Sequence, residues 1–255
     1  MLFRSSLNVR VARKSIEALD ICTLELVDAQ GEALPAFSAG SHVDVHLPNG
    51  LVRQYSLCND PTESHRYLIA VLKDPGSRGG SLAVHEQIRA GETLSISRPR
   101  NHFELQPNAQ KSVLLAGGIG ITPLLCMAER LAMLQADFDL HYCTRSRERT
   151  AFRERILEST FASRVTFHHD DEQAADLSAL LAQPAHGVHL YVCGPKGFMD
   201  AVIDTAKRLG WADDYVHHEY FSSTVVPSEG DAAFEIQLAS SGRVIQVPSS
   251  RTAAQ

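Results

Sequence analysis

The apolar run Ser112-Val-Leu-Leu-Ala116 is followed at once by Gly117-Gly-Ile-Gly-Ile-Thr-Pro123. This pair of segments limits the fold more than any other stretch. A continuous apolar run closed by glycines reads as a buried strand, and the glycines read as a tight turn into a helix. Thr122 suits the N-cap and Pro123 the first helical position, where no N–H is needed. Such a turn can bare backbone N–H groups to a phosphate. Only the first two glycines of a Gly-x-Gly-x-x-Gly fingerprint are present, because Pro123 stands in the third place. Two readings stay open here: a phosphate cradle, or a turn that packs a helix onto a sheet.

The surroundings of that turn divide the chain. Before it, Leu7-Asn-Val-Arg-Val-Ala, Ile21-Cys-Thr-Leu-Glu-Leu-Val, His42-Val-Asp-Val-His-Leu, the segment 52–57, Tyr67-Leu-Ile-Ala-Val-Leu and Thr93-Leu-Ser-Ile-Ser read as short strands separated by turn residues. That spacing predicts a closed antiparallel β-barrel. Gly79-Gly-Ser-Leu-Ala-Val-His-Glu-Gln-Ile reads as a short helix opening after glycines. The proline-broken segment 99–110 fits a domain boundary. Beyond it the rhythm becomes strand, helix, strand. Helices are expected around 124–131, over 150–158 and after 195, and strands over 138–143, 164–168, 188–193 and 215–218. This predicts an α/β domain with a parallel sheet. Near residue 225 the pattern changes again, to a hairpin over Phe234-Glu-Ile-Gln-Leu-Ala and Arg243-Val-Ile-Gln-Val-Pro.

Bulk properties exclude several classes. The net charge of −6 argues against a general nucleic-acid binder. No apolar run approaches the roughly 18 residues of a membrane span, and Met1-Leu-Phe-Arg-Ser-Ser6 has no apolar leader region. Cys22, Cys58, Cys126, Cys143 and Cys193 show no metal spacing, and their odd number argues against a full disulfide framework. A reducing, cytoplasmic setting is expected. The 12 histidines, including His168-His169 and His217-His218, fit no metal pattern and read as strand or surface residues.

Four motifs carry chemistry, in fixed order. Arg53-Gln-Tyr-Ser56 offers a fork for a phosphate, a flat face for a ring and a small hydroxyl. Gly76-Ser-Arg-Gly-Gly-Ser81 opens a helix with bared amides. The glycine turn is third. Tyr191-Val-Cys-Gly-Pro195 ends a parallel strand, where ligands of open sheets gather. Each motif alone has an ordinary structural explanation.

Together they resemble the ferredoxin–NADP reductase superfamily, and within it the reductase components of Rieske-type aromatic oxygenases. The resemblance covers residues 1 to about 225. It implies a flavin-binding β-barrel domain at 1–103, an NAD-binding α/β domain at 110–225, and at 226–255 a linker with the start of a truncated ferredoxin-like domain. It further implies that Arg53, Gln54, Tyr55 and Ser56 hold the flavin, with Ser56 near its N5 atom. Ala70, Val71 and Lys73 would line it, while Arg78, Gly79, Gly80 and Ser81 close on its phosphate. Gly118, Gly120, Thr122 and Pro123 would lie under the pyridine nucleotide, with Thr144, Arg145 and Ser146 at its adenosine end. Cys193, Gly194 and Pro195 would meet the nicotinamide, and Phe221 the flavin. The implied catalytic residues are Ser56, Cys193 and Phe221.

FMN is expected, with FAD the alternative, and NADH, with NADPH the alternative; Arg145, Ser146, Arg147 and Arg149 are candidates for a 2′-phosphate. The tail departs from the family, since no Cys-x4-Cys-x2-Cys follows it. A 2Fe-2S centre is therefore expected only in a longer form of the chain. The reading is an NADH-dependent flavoprotein passing electrons to an oxygenase component. A free-standing reductase and a non-catalytic binding module are the alternatives.

Overall fold

Alternating apolar residues in the first hundred positions do turn inward together. The computed structural model describes residues 6–221, 233–237, 242 and 244–248. In it, β1 (Leu7–Ala18), β2 (Ile21–Asp28), β3 (Ser41–His46), β4 (Val52–Ser56), β5 (Tyr67–Leu72), β6 (Thr93–Ile96) and β7 (Arg100–Asn101) form an antiparallel sheet. The order is β4-β3-β6-β1-β2-β5, with β7 beside β3. A bridge between Leu57 and Ile69 ties the end of β4 to β5 and closes the barrel. Val9, Val11, Leu24, Leu26, Val43 and Val45 fill the interior at every second position. Helix α1 (Gly80–Glu86) adds Ala83 and Val84 to that core.

The second lobe is the expected parallel sheet. Its strands are β8 (Lys111–Gly117), β9 (Phe138–Thr144), β10 (Val165–His169), β11 (Val188–Cys193) and β12 (Val216–Glu219), in the order β10-β9-β8-β11-β12. The helices are α2 (Ile121–Met133), α3 (Arg153–Leu157), α4 (Leu177–Leu180) and α5 (Lys196–Arg208). On one face Val113, Leu115 and Val192 pack against Met199 and Val202 of α5. On the other, Leu114, Ala116, Leu140 and Tyr142 pack against α2.

Every residue from Ile121 to Ala128 is buried. A helix apolar all round needs partners all round, and the barrel supplies the second side. Ile21, Ala39, Cys58, Ala70 and Phe103 of the barrel share one core with Leu124, Leu125 and Met127 of α2. At roughly 1.5–3 kcal/mol per large side chain buried, this seam is a main adhesive between the lobes.

Polar contacts add a clamp. The β1–β2 turn donates Leu19 N–H to Glu148 O (2.8 Å), pairs Asp20 with Arg149 (3.1 Å), and offers Glu17 Oε1 to Phe152 N–H (2.9 Å). Phe152 has a left-handed backbone, φ 58°, so the helix expected over 150–158 is confined to α3. The first strand also outlasts its sequence signal, running to Ala18. Within the boundary segment 99–110, Arg100 and Asn101 pair with β3 in the barrel sheet.

The described residues 6–221 form one compact unit, and those from 233 onward belong to another. There β13 (Phe234–Gln237) pairs antiparallel with β14 (Val244–Val247), as the hairpin pattern predicts. The rest of the 226–255 expectation lies outside the described residues. Among the described residues, no helix is long and apolar enough to cross a membrane.

Glu17→Ala leaves the Phe152 N–H without its acceptor and should lose about 1–2 kcal/mol in urea denaturation. Glu17→Gln, which keeps an acceptor oxygen, should lose clearly less.

Candidate functional site

Strands β8 and β11 lie side by side, yet the chain leaves β8 toward β9 and leaves β11 toward β12. Their carboxyl ends therefore part around a crevice, the usual ligand position in such sheets. The glycine turn forms one wall. Gly118–Gly120 make a single 3₁₀ turn, and α2 begins at Ile121 with Gly120 as its cap. This corrects the capping expected from sequence. Thr122 is not the cap; it is 2% exposed, and its hydroxyl donates to Ile119 O at 3.1 Å. Pro123 is the third helical residue, where its missing N–H still lacks an intrahelical acceptor.

The glycines have different jobs. A Cβ on Gly120 would lie 2.2 Å from Cys193 O, and one on Gly117 would lie 2.7 Å from the Phe198 ring. Gly194 is similarly hemmed by Phe198, at 2.9 Å. These residues let the ends of β8 and β11 and the start of α5 touch. Gly118 differs: its φ is +53°, and nothing lies within 4 Å of where its Cβ would be. The packing reading of the motif thus holds at Gly117 and Gly120, while Gly118 leaves open space beside the turn.

Across the lobe boundary stands the end of β4. Ser56, 5% exposed, donates to Glu219 Oε2 at 3.4 Å. Glu219 ends β12 and pairs in register with Cys193. Burial pushes the Glu219 carboxyl up to about 7, against the opposing pull of the Ser56 hydrogen bond. Cys193 has no exposed surface, and burial, with Glu219 adding to it, holds its thiol well above its ordinary range. The resemblance marks the segment Glu219-Tyr-Phe221 and gives a role in it only to Phe221; the contact of Glu219 with Ser56 has no local signal in the sequence.

Farther along β4, Tyr55 packs half-buried on the barrel core, and burial raises its phenol to about 12. Gln54 is exposed. Arg53 lies against α1, where a Cβ on Gly80 would stand 2.6 Å from Arg53 Nε. Gly79, at φ +93°, and Ser81 both donate their N–H to Ser77 Oγ, at 3.2 and 3.3 Å. At this corner Ser77 Oγ takes up both amides and Arg53 Nη1 donates to Val52 O at 2.8 Å, so an anion there would have to replace these acceptors.

Other expected residues are otherwise engaged. The Val71 side chain lies in the barrel core, and its carbonyl meets His85 Nε2 at 2.9 Å. Ala70 belongs to the seam beside α2. Lys73 pairs with Glu86 at 3.0 Å, and Ser81 Oγ accepts from Asp74 N–H at 3.1 Å. Arg78 is exposed. Thr144 is buried, sharing a hydrogen bond with Thr150 at 2.8 Å and donating to Ser146 O at 3.1 Å. Arg145 and Pro195 are exposed, and Phe221 is 46% exposed. Arg149 is held by Asp20. All five cysteines are free and buried, and no group of three or more His, Cys, Asp or Glu among the described residues could hold a metal.

Comparison with known proteins places this geometry. Vanillate O-demethylase oxidoreductase of Pseudomonas putida is 55% identical over 244 residues, covering 95% of this chain and 77% of that protein. The chain belongs to this family of oxygenase reductases. Phthalate dioxygenase reductase of Burkholderia cepacia is 39% identical across 96% of the chain and 77% of its own length. A solved phthalate dioxygenase reductase, described as a modular structure for electron transfer from pyridine nucleotides to [2Fe-2S], superposes with a TM-score of 0.83. It is 38% identical and is matched over 98% of this chain and 78% of that one. A family model for the N-terminal domain of dimethylamine monooxygenase subunit DmmA-like proteins matches residues 95–216. The chain is therefore an oxidoreductase with the ferredoxin–NADP reductase fold expected from its motifs.

Two measurements follow for this oxygenase reductase. Gly120→Ala should lower stability by about 2–3 kcal/mol through overpacking, whereas Gly118→Ala should lose only about 1–2 kcal/mol of backbone strain. Between its ordinary 4.5 and about 7, Glu219 is protonated in the folded protein and ionised in the unfolded chain. The folded state binds more protons there, so stability should fall as pH rises through that window. Glu219→Gln should flatten this slope; parallel pH profiles for the two proteins would contradict the assignment.

Proposed function

We propose that the chain binds a flavin along β4 and a pyridine nucleotide across the β8/β11 crevice. It transfers a hydride between them, then passes single electrons to a [2Fe-2S] centre and an oxygenase component. The observation that carries this reading is the Ser56–Glu219 contact. It brings the end of the flavin-type strand to the mouth of the nucleotide crevice, beside Cys193 and Gly120. A bound flavin supplies the conversion of a two-electron donor to one-electron output, which no side chain can perform. The protein's task is to hold the two rings together.

In this reading Arg53, with the Gly79, Gly80 and Ser81 backbone, grips the phosphate. Tyr55 lies against the ring, and Ser56 places its hydroxyl at the reacting edge. Glu219, with its carboxyl near neutrality, can hold or release a proton through Ser56. Gly118, Gly120, Thr122 and Pro123 floor the nucleotide site, and Gly194 and Pro195 border it. Cys193 backs the nicotinamide end, Thr144, Arg145 and Ser146 lie at the adenosine end, and Phe221 covers the flavin. A single guanidinium over Gly80 suits the one phosphate of FMN. The tie between Arg149 and Asp20 withdraws one cation from a 2′-phosphate and favours NADH over NADPH.

The purified protein should be yellow, and anaerobic NADH should bleach it while ferricyanide restores the colour. Chromatography of the heat-released flavin should give FMN. Gly118→Ala should raise KM for NADH several-fold, since its methyl enters the crevice. A colourless protein that takes up no flavin would remove the proposal.

A further inference from the structure

Helix α1 has only seven residues, Gly80–Glu86. A helix that short does not persist by its own hydrogen bonds in water, where roughly 12–15 residues are needed. At its start Ser77 Oγ accepts from the Ser81 N–H, and along its length Ala83 and Val84 enter the barrel core while Glu86 pairs with Lys73.

The far end is held from β1. Lys14 Nζ donates to the carbonyls of Val84, His85 and Ile88, at 2.8, 2.6 and 2.9 Å. All three ammonium donors are therefore used at the end of α1, where backbone carbonyls lack intrahelical partners and a cation is favoured. An ammonium has three donors and no acceptor, so this arrangement saturates it. Burial lowers the Lys14 ammonium from its ordinary range, Arg89 adds to this, and Cys22 and Glu92 oppose it. The Val84 and His85 carbonyls belong to the same short helix that begins under Arg53 at Gly80, and Ile88 lies just past its end.

We propose that Lys14 is a positioning residue for the flavin phosphate: by anchoring the last turn of α1 to β1, it fixes Gly80 beneath the Arg53 guanidinium. The inference rests on the reading that a flavin phosphate is gripped at this corner. Lys14 does not reach that corner itself. It acts through the backbone of α1, which rises roughly 1.5 Å per residue, so a slip at one end of this short helix displaces the other.

The test uses the full chain stripped of flavin, titrated with FMN and with riboflavin, which lacks the phosphate, and read by flavin fluorescence. Wild type should bind FMN at least a hundredfold more tightly than riboflavin. Lys14→Met keeps the stem but removes the donors. It should lower that preference about tenfold, with riboflavin affinity changed less than twofold. Lys14→Arg, which keeps donors, should retain most of the preference. Equal losses for both ligands, or no change in the ratio, overturn the proposal and leave Lys14 a plain stabiliser of the barrel. Should Lys14→Met not fold, Lys14→Gln is judged by the same ratio. A wild type that binds riboflavin as well as FMN overturns the phosphate grip itself, and the proposal with it.

Discussion

The apolar seam around α2 is the constraint from which the rest follows. A helix buried from Ile121 to Ala128 cannot be left on the surface of a two-layer lobe. It joins the parallel sheet on one side and Ile21, Cys58, Ala70 and Phe103 of the barrel on the other. Protein interiors pack densely and deform little, so this seam sets the lobe geometry within narrow limits. The polar clamp from Glu17, Leu19 and Asp20 secures the same arrangement at the edge of the sheet.

That geometry has a chemical consequence. Ser56 sits at the end of an antiparallel strand and Glu219 at the end of a parallel one, 163 positions apart in the chain. Burial moves the Glu219 carboxyl to about 7, against the Ser56 hydrogen bond. The glycines serve the same junction. Gly117, Gly120 and Gly194 allow backbone and ring to approach, and Gly118 keeps open space.

Local motifs were legible because their physics is local. Arg53-Gln-Tyr-Ser56 combines fork, ring and hydroxyl within one strand, and the change from alternation to strand-helix rhythm near residue 110 marks two architectures. The failures were contacts between distant segments. Thr122 carries the right side chain for a cap, yet it turns back to Ile119 because Gly120 already begins the helix against Cys193. The helix expected from Thr150 is cut short by left-handed Phe152, whose N–H is taken by Glu17 from the other lobe. Val71 looked like a cleft residue but faces the barrel interior. A one-residue change of register decides which face a strand residue meets.

Residue order alone was enough for the barrel and the parallel sheet, because periodicity and turn residues act over a few positions. It also sufficed to join the four motifs into one family pattern. Only the folded chain decided which glycine packs and which stays open, that Glu219 meets Ser56, that Asp20 occupies Arg149, and that Lys14 holds the end of α1. Those outcomes depend on side chains dozens of positions apart meeting in a low-dielectric seam, and no local pattern encodes such a meeting.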